Sequence, residues 1–421
     1  MFGKEKTPHH PQFGGLEILK YIGPGLLVTV GFIDPGNWAS NVAAGAQFGY
    51  ALLWMVTLST VMLIILQHNV AHLGIVTGLC LSEACAKYLS PWRAKALLIS
   101  AVLASISTGL AELLGAGIGL NMLFPRIPLQ VCVLLALAVA LWMLLTNSYR
   151  RIERYIIGFV SLIGLSFMFE LSLVYVPWRA ATVGWVLPKI PGGSIPIVMS
   201  ILGAVVMPHN LFLHSEIIQS RQWNLESKDV IKRQLSYEFL DTLVSMLLGW
   251  AINSAMIIMA AATFYARHIP VNDLQEAQRM LQPLLGGRAA LVFALALVFA
   301  GLASSVTAGM AGGSIFAGIF GDPYDIKDSH SRWGVIIALV GAAGLILLIG
   351  LFTTNLLMGL IISQILLSVQ LPWTIFAQIS LTSSPRVMGS FANGPFTRAC
   401  LWITGAVVGI LNVMLLWSIV H

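Results

Sequence analysis

The chain has 421 residues, of which 57% are hydrophobic and only 10% are charged. A soluble globular domain carries about 25% charged residues, so water is not the solvent for most of the surface of this protein. The formal net charge is +6, and the positions of the basic residues, given below, explain this excess by membrane topology. The composition therefore excludes a water-soluble enzyme and a nucleic-acid-binding domain.

Apolar segments of about 20 residues, the length that crosses a hydrocarbon core of about 30 Å, recur along the whole chain. Alternating strand patterns are absent, and a helix satisfies its own backbone groups in lipid. The sequence therefore predicts an all-α polytopic membrane protein with one transmembrane domain over residues 1–421. The eleven predicted spans are 20–48, 51–76, 96–124, 128–147, 155–177, 194–219, 235–265, 289–319, 333–353, 355–379 and 397–419.

The basic residues predict how the chain is oriented. All 23 Lys and Arg residues fall in predicted loops or at span ends, seventeen on the side of the N-terminus and six on the opposite side. The positive-inside rule then predicts a cytoplasmic N-terminus and an outside C-terminus. The first apolar run continues past helix-breaking residues, so we expect this span to be retained rather than cleaved as a signal peptide. The compact loops suggest a plasma (inner) membrane protein.

Two predicted spans contain helix-breaking sequences near their centres. The first span carries Asp34-Pro35-Gly36-Asn37, and the sixth carries the stretch 207–210, Met-Pro-His-Asn. Proline removes a backbone donor and glycine favours non-helical geometry, so both spans should be broken there. Breaks five spans apart predict an inverted repeat of about 17–177 and 194–379, with the span 397–419 left over. A lone proline usually gives only a kink, but paired breaks with ionisable residues indicate a transport site.

The residues at the two breaks form a mixed set of metal donors. Asp34 offers an anionic oxygen, Asn37 an amide oxygen one turn later, and the unwound backbone near Ala204 a carbonyl. Met207 adds a thioether, which favours Mn²⁺, Fe²⁺, Co²⁺ or Cd²⁺ over Mg²⁺ and Ca²⁺. We therefore predict that Met207 sets selectivity. The alternative is a space-filling core methionine, which is the default for most of the 16 Met residues.

These two stretches resemble the two signatures of the Nramp transporters. Further stretches that look like the family are 44–50, 73–78, 111–116, 211–221, 304–307, Gln364 and 370–372, so the resemblance covers nearly the whole chain. It implies a LeuT-like fold and proton-linked uptake of Mn²⁺ or Fe²⁺. The implied metal ligands are Asp34, Asn37, Met207, the carbonyl of Ala204 and, in the outward-open state, the carbonyl of Gly31, with Gln364 contributing through water.

The groups that handle protons are less clearly marked. His209 and His214 lie five residues apart around the second break, and imidazole titrates near neutral pH. Either histidine could relay or sense a proton, and the family resemblance favours His209 for this role. Asp34 can itself take a proton when metal leaves, and Glu112 in the third span is the next acidic group. The chain departs from the family pattern at two places. Gly109 stands where the family usually has Asp, so one carboxylate expected on the proton route is missing. The arginine pair of the family is replaced by Lys-Asp at 327–328.

The remaining polar residues receive structural interpretations. We expect Glu170, Glu238 and Asp241 to lie near span ends, where interfacial water solvates them. The hydroxyl groups of 304, 305 and 307, Ser-Ser-Thr, are expected to hydrogen-bond between helices. The cysteines show no CxxC spacing and are expected to be buried or interfacial thiols without a functional role: Cys80, Cys85, Cys132 and Cys400.

Two alternative functions remain open at this stage. A LeuT-like, Na⁺-linked symporter of an organic solute keeps the fold, but Asp34 would repel a substrate carboxylate. A metal-responsive receptor or an intramembrane enzyme would need an output domain, a nucleophile with its base, or a motif such as HExxH, and the sequence has none of these. We thus predict no catalytic residue, cofactor, nucleic acid or obligate protein partner; the expected partners are a divalent metal ion, protons and the lipid bilayer.

Overall fold

The computed structural model describes residues 33–146, 149–220, 227–269, 271, 274, 287–350 and 356–420. Every regular element within these ranges is a helix, which confirms the predicted all-α class. In chain order the α-helices are α1 (Pro35–Phe48), α2 (Leu53–Thr77), α3 (Leu81–Tyr88), α4 (Pro91–Leu123), α5 (Leu129–Thr146), α6 (Tyr149–Ser172), α7 (Trp178–Val186), α8 (Ile195–Val205), α9 (Pro208–Ser220), α10 (Lys228–Thr263), α11 (Gly287–Phe320), α12 (Ser329–Ile349), α13 (Leu356–Thr382), α14 (Pro385–Met388) and α15 (Pro395–Val420).

Nine helical segments of the described chain are long and apolar enough to cross a membrane, with α8 and α9 counted together. They match nine of the eleven predicted spans. The first predicted span corresponds to α1, and the part before residue 33 lies outside the described residues. The fifth corresponds to α6. The order of spans along the chain is therefore the predicted one.

Several helices begin earlier than the apolar pattern predicted; α6, for example, starts at Tyr149 instead of 155. Helix α4 starts at Pro91 instead of 96, and α10 starts at Lys228 instead of 235. The 36 residues of α10 measure about 54 Å, well over the roughly 30 Å of the hydrocarbon core. Such helices continue into the polar interface, where charged residues such as Arg93 no longer mark a helix end. The short helix α3 was not predicted, because it has no apolar run.

Helix α1 is in close contact with its neighbours at both ends. A methyl carbon added at Gly115 of α4 would lie 2.0 Å from Pro35 Cβ, and one added at Gly45 would lie 2.4 Å from the carbonyl oxygen of Ile257 in α10. Only glycine permits contacts this close. Helices from both halves of the chain contribute to one hydrophobic core, and the break in α1 lies within it.

The hydroxyl groups of α11 bond within their own helix. Ser304 and Ser305 donate to Ala300 and Gly301, and Thr307 donates to the carbonyl oxygen of Ser304. The prediction of bonds between helices is therefore wrong for these three residues. Hydroxyl groups in an apolar helix satisfy themselves on the carbonyl three or four residues earlier, which needs no partner helix.

The cysteines fit their predicted character as buried or interfacial thiols. None forms a disulfide, and three of the four are buried. In α3, outside the predicted spans, burial raises the pKa of the Cys85 thiol to about 12. This side chain is therefore a neutral thiol at physiological pH, and such a thiol is a poor nucleophile and metal ligand.

Candidate functional site

The first break begins a helix inside the protein. Asp34 has extended backbone angles and is the N-cap of α1, with Pro35 in the first turn. One carboxylate oxygen, Oδ1, accepts the backbone N–H of Asn37 at 2.7 Å. Asp followed by Pro is a strong helix-start sequence, because the carboxylate satisfies a free N–H and proline fits the first turn. The carboxylate of Asp34 is completely buried.

The second break follows from one missing donor. Helix α8 ends at Val205, Val206 leaves helical geometry, and α9 begins at Pro208. In a continuous helix the carbonyl of Ala204 would accept the N–H four residues later. That residue is Pro208, which has no N–H. The carbonyl oxygen of Ala204 is therefore free for a partner from elsewhere in the fold.

That partner comes from the first break. The side-chain amide of Asn37 donates from Nδ2 to the carbonyl oxygen of Ala204 at 2.7 Å and to Asp34 Oδ1 at 2.9 Å. One turn further along α1, the hydroxyl oxygens of Ser40 and Ser200 lie 2.5 Å apart. Side chains separated by about 160 residues in sequence are thus joined, and the two breaks meet as the sequence analysis predicted.

Three oxygen atoms at this meeting point have no hydrogen-bond partner among the described residues. They are Asp34 Oδ2, Asn37 Oδ1 and Gln364 Oε1, all buried. A buried polar atom without a partner costs about 1–3 kcal/mol, and more if it is charged. An N-cap needs only one carboxylate oxygen, so helix capping by Asp34 explains Oδ1 but not Oδ2. A bound cation would satisfy all three oxygens.

Gln364 of α13 lies against both breaks. A methyl carbon added at Gly36 would lie 1.9 Å from Gln364 Nε2, and one added at Gly203 would lie 1.8 Å from the Gln364 carbonyl oxygen. Glycines before and after the breaks therefore make room for this residue. Met207 is completely buried between α8 and α9, and its sulfur accepts from Asn210 Nδ2 at 3.5 Å. Gly31 lies outside the described residues.

The arrangement suits one particular kind of cation site. Turning the Asn37 amide by half a rotation would bring Oδ1 beside Asp34 Oδ1 and the Ala204 carbonyl, since oxygen and nitrogen exchange places. Oxygen donors combined with a thioether, here that of Met207 in the second break, suit a borderline transition-metal ion. The described residues contain no group of three or more His, Cys, Asp or Glu side chains that could hold a metal. Among the donors at the two breaks, Asp34 supplies the only carboxylate of the described residues.

The predicted proton groups surround the breaks. His209 is buried in α9 with neither ring nitrogen hydrogen-bonded within the described chain. Glu112 of α4 accepts from Thr108 on Oε1 at 3.0 Å, whereas Oε2 has no partner among the described residues. The carboxyl groups of Glu112 and Asp34 are close enough to interact electrostatically. Glu112 therefore belongs to the same buried site, although 78 positions separate it from Asp34 in the sequence.

Gly109 packs closely against helix α12. A methyl carbon added there would lie 3.2 Å from Ala342 Cβ and 3.4 Å from the carbonyl oxygen of Ala338, both in α12. Helices α4 and α12 approach closely at this point, so any side chain at position 109 would require the neighbouring atoms of α12 to shift by a few tenths of an ångström. In the nearby loop, Asp328 is the N-cap of α12.

A second polar cluster was not predicted from the sequence. Glu238 and Asp241 are only 1% and 4% exposed, so the prediction that interfacial water solvates them is wrong. Glu238 Oε2 lies 2.5 Å from His68 Nδ1, and Glu238 Oε1 lies 3.7 Å from His214 Nε2. Histidine within the apolar run of the second span was the available signal. The side chain of Glu170 lies outside the described residues.

Comparison with known proteins agrees with this architecture. The sequence profile of the Nramp family, described as natural resistance-associated macrophage protein-like, matches residues 25–418. The chain is 38% identical over 412 residues to the divalent metal cation transporter MntH of Brucella suis, covering 95% of this chain and 88% of that protein.

Solved structures extend the comparison to the fold. A manganese transporter of Eremococcus coleocola has a TM-score of 0.85 and 27% identity, covering 97% of this chain and 88% of the other. The transporter MhsT, solved with L-phenylalanine, has a TM-score of 0.62 at 15% identity, covering 98% of this chain and 100% of the other, so it shares the fold alone. The fold is LeuT-like, and the chain belongs to the Nramp family.

Proposed function

We propose that this protein imports divalent transition-metal ions, with Mn²⁺ and Fe²⁺ as the main candidates, by alternating access at the two breaks. The observation that carries the proposal is the set of buried oxygens without hydrogen-bond partners among the described residues, Asp34 Oδ2 and Asn37 Oδ1, at the Ala204 carbonyl. The buried thioether of Met207 follows Ala204 by three residues in the same break. Buried carboxylates are paired or bind cations. No Lys or Arg of the described chain forms an ion pair with Asp34, so a cation from outside the chain is the fitting partner.

The chemistry of the donors narrows the cargo. Met207 supplies sulfur, which Mg²⁺ and Ca²⁺ do not favour, and the set has only one carboxylate. Mn²⁺, Fe²⁺, Co²⁺ and Cd²⁺ all fit this set. The names of the relatives, a divalent metal cation transporter and a manganese transporter, agree with this choice. An organic solute with a carboxylate fits poorly, because Asp34 would repel it.

The hydrogen bonds at the breaks suggest how metal exchanges. A partly dehydrated ion would take Asp34 Oδ2 first, since this oxygen carries charge and has no competing donor among the described residues. Rotation of the Asn37 amide then replaces two hydrogen bonds by metal contacts, which frees the Ala204 carbonyl for the ion. Rocking of the helices around the Ser40–Ser200 contact would open the site to either face in turn.

Protons offer a way to balance the charge of the ion. A dication beside one carboxylate leaves a net charge of +1 in a buried site, which is costly. Loss of a proton from Glu112 as metal binds would supply the second negative charge and remove that cost. Loss of a proton from Asp34 or His209 would lower the positive charge of the loaded site by one. We therefore propose proton-linked uptake in the plasma membrane, with the N-terminus in the cytoplasm and the C-terminus outside.

Flux measurements on the purified protein in sealed liposomes test this function. Radioactive manganese should accumulate inside protein-containing liposomes, while excess Fe²⁺ or Cd²⁺ competes and Ca²⁺ competes poorly. Empty liposomes and the Asp34→Ala variant serve as controls. Metal binding without flux would instead indicate a receptor or an enzyme. Na⁺-dependent uptake of an organic solute, without metal flux, would favour the symporter.

A further inference from the structure

Glu238 lies at the centre of a buried polar group formed by three helices. We call it the Glu238 cluster: Glu238 and Thr242 of α10, His68 and Gln67 of α2, and His214 of α9. The Glu238 carboxylate is 1% exposed, and no Lys or Arg of the described chain pairs with it. Imidazole groups on two other helices are its only ionisable contacts within the described residues.

Hydrogen-bond roles in the cluster can be assigned from its partners. His214 Nδ1 contacts Gln67 Oε1, and an amide oxygen only accepts, so Nδ1 carries the proton in neutral His214. His214 Nε2 is then an acceptor, and it has no hydrogen-bond partner among the described residues. It faces Glu238 Oε1, another acceptor, at 3.7 Å. Two acceptors that face each other repel, and a proton between them would turn the repulsion into an ion pair.

The second oxygen of Glu238 leads towards the protein surface. Oε2 lies 2.5 Å from His68 Nδ1, and the His68 side chain is 33% exposed. His68 is nine residues from the end of α2 and Glu238 ten from the start of α10, distances of about 14 and 15 Å along the helices. Both helix ends lie on the face that the basic residues predict to be cytoplasmic.

The opposite end of the cluster points to the transport site. His214 lies five residues after His209 on α9, about 7.5 Å along the helix axis. The order from the breaks to the surface is therefore His209, His214, Glu238 and His68. A carboxylate between two imidazoles, one deeply buried and one partly exposed, is the arrangement expected of a proton relay.

We propose that His214 and Glu238 form a second proton-binding site, and that protons pass through it between the metal site and the cytoplasmic face by way of His68. The proposal rests on metal transport as the function of the two breaks and assigns it a proton route. A proton on His214 Nε2 moves to Glu238 Oε1. The carboxyl group then rotates, so that its O–H faces His68, which at this stage carries its proton on Nε2 and accepts at Nδ1. The proton passes to Nδ1 while Nε2 releases its own proton to water. Glu238 is again a carboxylate, and no other bond changes.

Two other ionisable residues of the described chain, His72 and Asp241, lie one helical turn from the Glu238 cluster. On α2, His72 lies one turn beyond His68, and its Nε2 has no hydrogen-bond partner among the described residues. On α10, Asp241 lies one turn beyond Glu238 and is also buried. The ring of Phe239 packs edge-on against His68 with centroids 5.0 Å apart. The cluster thus holds the Glu238 carboxylate and the imidazoles of His68 and His214, while His72 and Asp241 lie one turn away on the same helices.

The test measures metal and proton influx together in the same liposomes. Wild-type protein and Glu238→Gln are reconstituted with an internal pH dye, and Mn²⁺ uptake is followed in parallel. Glutamine keeps the shape and the hydrogen bond from Thr242 but cannot carry a proton. We expect Glu238→Gln to retain Mn²⁺ uptake while proton influx per metal falls about tenfold or more, the scale on which a positioned proton acceptor acts.

Matched variants make the result specific. Glu216→Gln removes another buried carboxylate of α9, which contacts Ser314 outside the cluster, and should keep the wild-type proton-to-metal ratio. His68→Asn keeps a hydrogen-bond donor to Glu238 but cannot relay a proton. It should therefore lower proton influx per metal ion as Glu238→Gln does, and it tests the relay even if Glu238→Gln folds poorly.

The outcomes separate the proton relay from the proposed function, metal transport. An unchanged proton-to-metal ratio in folded Glu238→Gln and His68→Asn would overturn the relay and leave metal transport standing. Mn²⁺ flux without proton influx in the wild type would also overturn the relay and leave metal transport standing. Absence of Mn²⁺ flux in the wild type would instead contradict the proposed function itself.

Discussion

The substitution Asp34→Asn separates the two roles of this residue, because it removes a charge without changing the shape. Asn is as good an N-cap as Asp, so the bond from Asn37 N–H to the side-chain oxygen should survive. Stability should therefore change by less than about 0.5 kcal/mol. Asp34→Ala removes both the charge and the cap, and loss of the cap should lower stability by about 1 kcal/mol.

The effect on metal binding should be far larger. Unit charges 4 Å apart interact by about 4 kcal/mol at an effective dielectric constant of about 20. A dication at a shorter metal–oxygen distance interacts more strongly, so about 4 kcal/mol is a lower figure. This corresponds to an affinity about 1,000-fold weaker. The loss of Mn²⁺ affinity should be smaller if another buried carboxylate, such as that of Glu112, is ionised beside the metal ion in the variant.

Titration calorimetry with Mn²⁺ and uptake into liposomes measure this loss, and thermal melting in detergent shows whether the variant is folded. Folded Asp34→Asn with wild-type Mn²⁺ affinity and uptake would refute the reasoning, since Asp34 Oδ2 would then need another explanation. Loss of binding together with a collapsed melting temperature would point to the helix cap. The comparison between the Asn and Ala variants distinguishes these cases.

Two further predictions concern selectivity and packing. Met207→Ala should retain Mn²⁺ uptake but lose discrimination against Ca²⁺, because the remaining donors are oxygens; unchanged competition curves would contradict a role for the thioether. Gly203→Ala should lower stability by about 1–3 kcal/mol, because the new methyl carbon would lie 1.8 Å from the carbonyl oxygen of Gln364. Gly359→Ala is the matched control, since nothing lies within 4 Å of its added methyl carbon, and its melting temperature should not fall. Equal melting of both variants would show that Gln364 does not pack against the second break as described.

The sequence predicted the backbone of the site because the relevant signals are local. Proline lacks a donor wherever it stands, so the end of α8 at Val205 and the start of α9 at Pro208 follow from residues within one turn. The same holds for Asp34 as an N-cap. The meeting of the breaks followed from the repeat, which places corresponding segments together. The single hydrogen bond that joins them, from Asn37 to Ala204, required coordinates.

The Glu238 cluster was missed because its signals are not local. His68 and Glu238 lie 170 positions apart, and neither belongs to a motif. Position near a span end suggested solvation of Glu238, but α10 extends beyond the bilayer while neighbouring helices cover its side. Apolar periodicity reports which face of a helix is buried on average and not which polar group is paired there. Similarly, the close packing of Gly109 against α12 could not be predicted from the sequence.

One helix connects the proposed metal and proton sites. Met207 immediately precedes α9, and His214 lies in its middle. Helix α9 is fixed to α2 by the bond from Gln219 Nε2 to the carbonyl oxygen of Gly78 at 3.0 Å and by the close approach at Gly74. A movement that changes access to Met207 therefore carries His214 and the neighbouring part of α2 with it. Because His68 belongs to α2, the route from His214 through Glu238 keeps its geometry when α10 moves with them. We therefore expect metal and proton release on the same face to depend on one structural unit, without a separate coupling device.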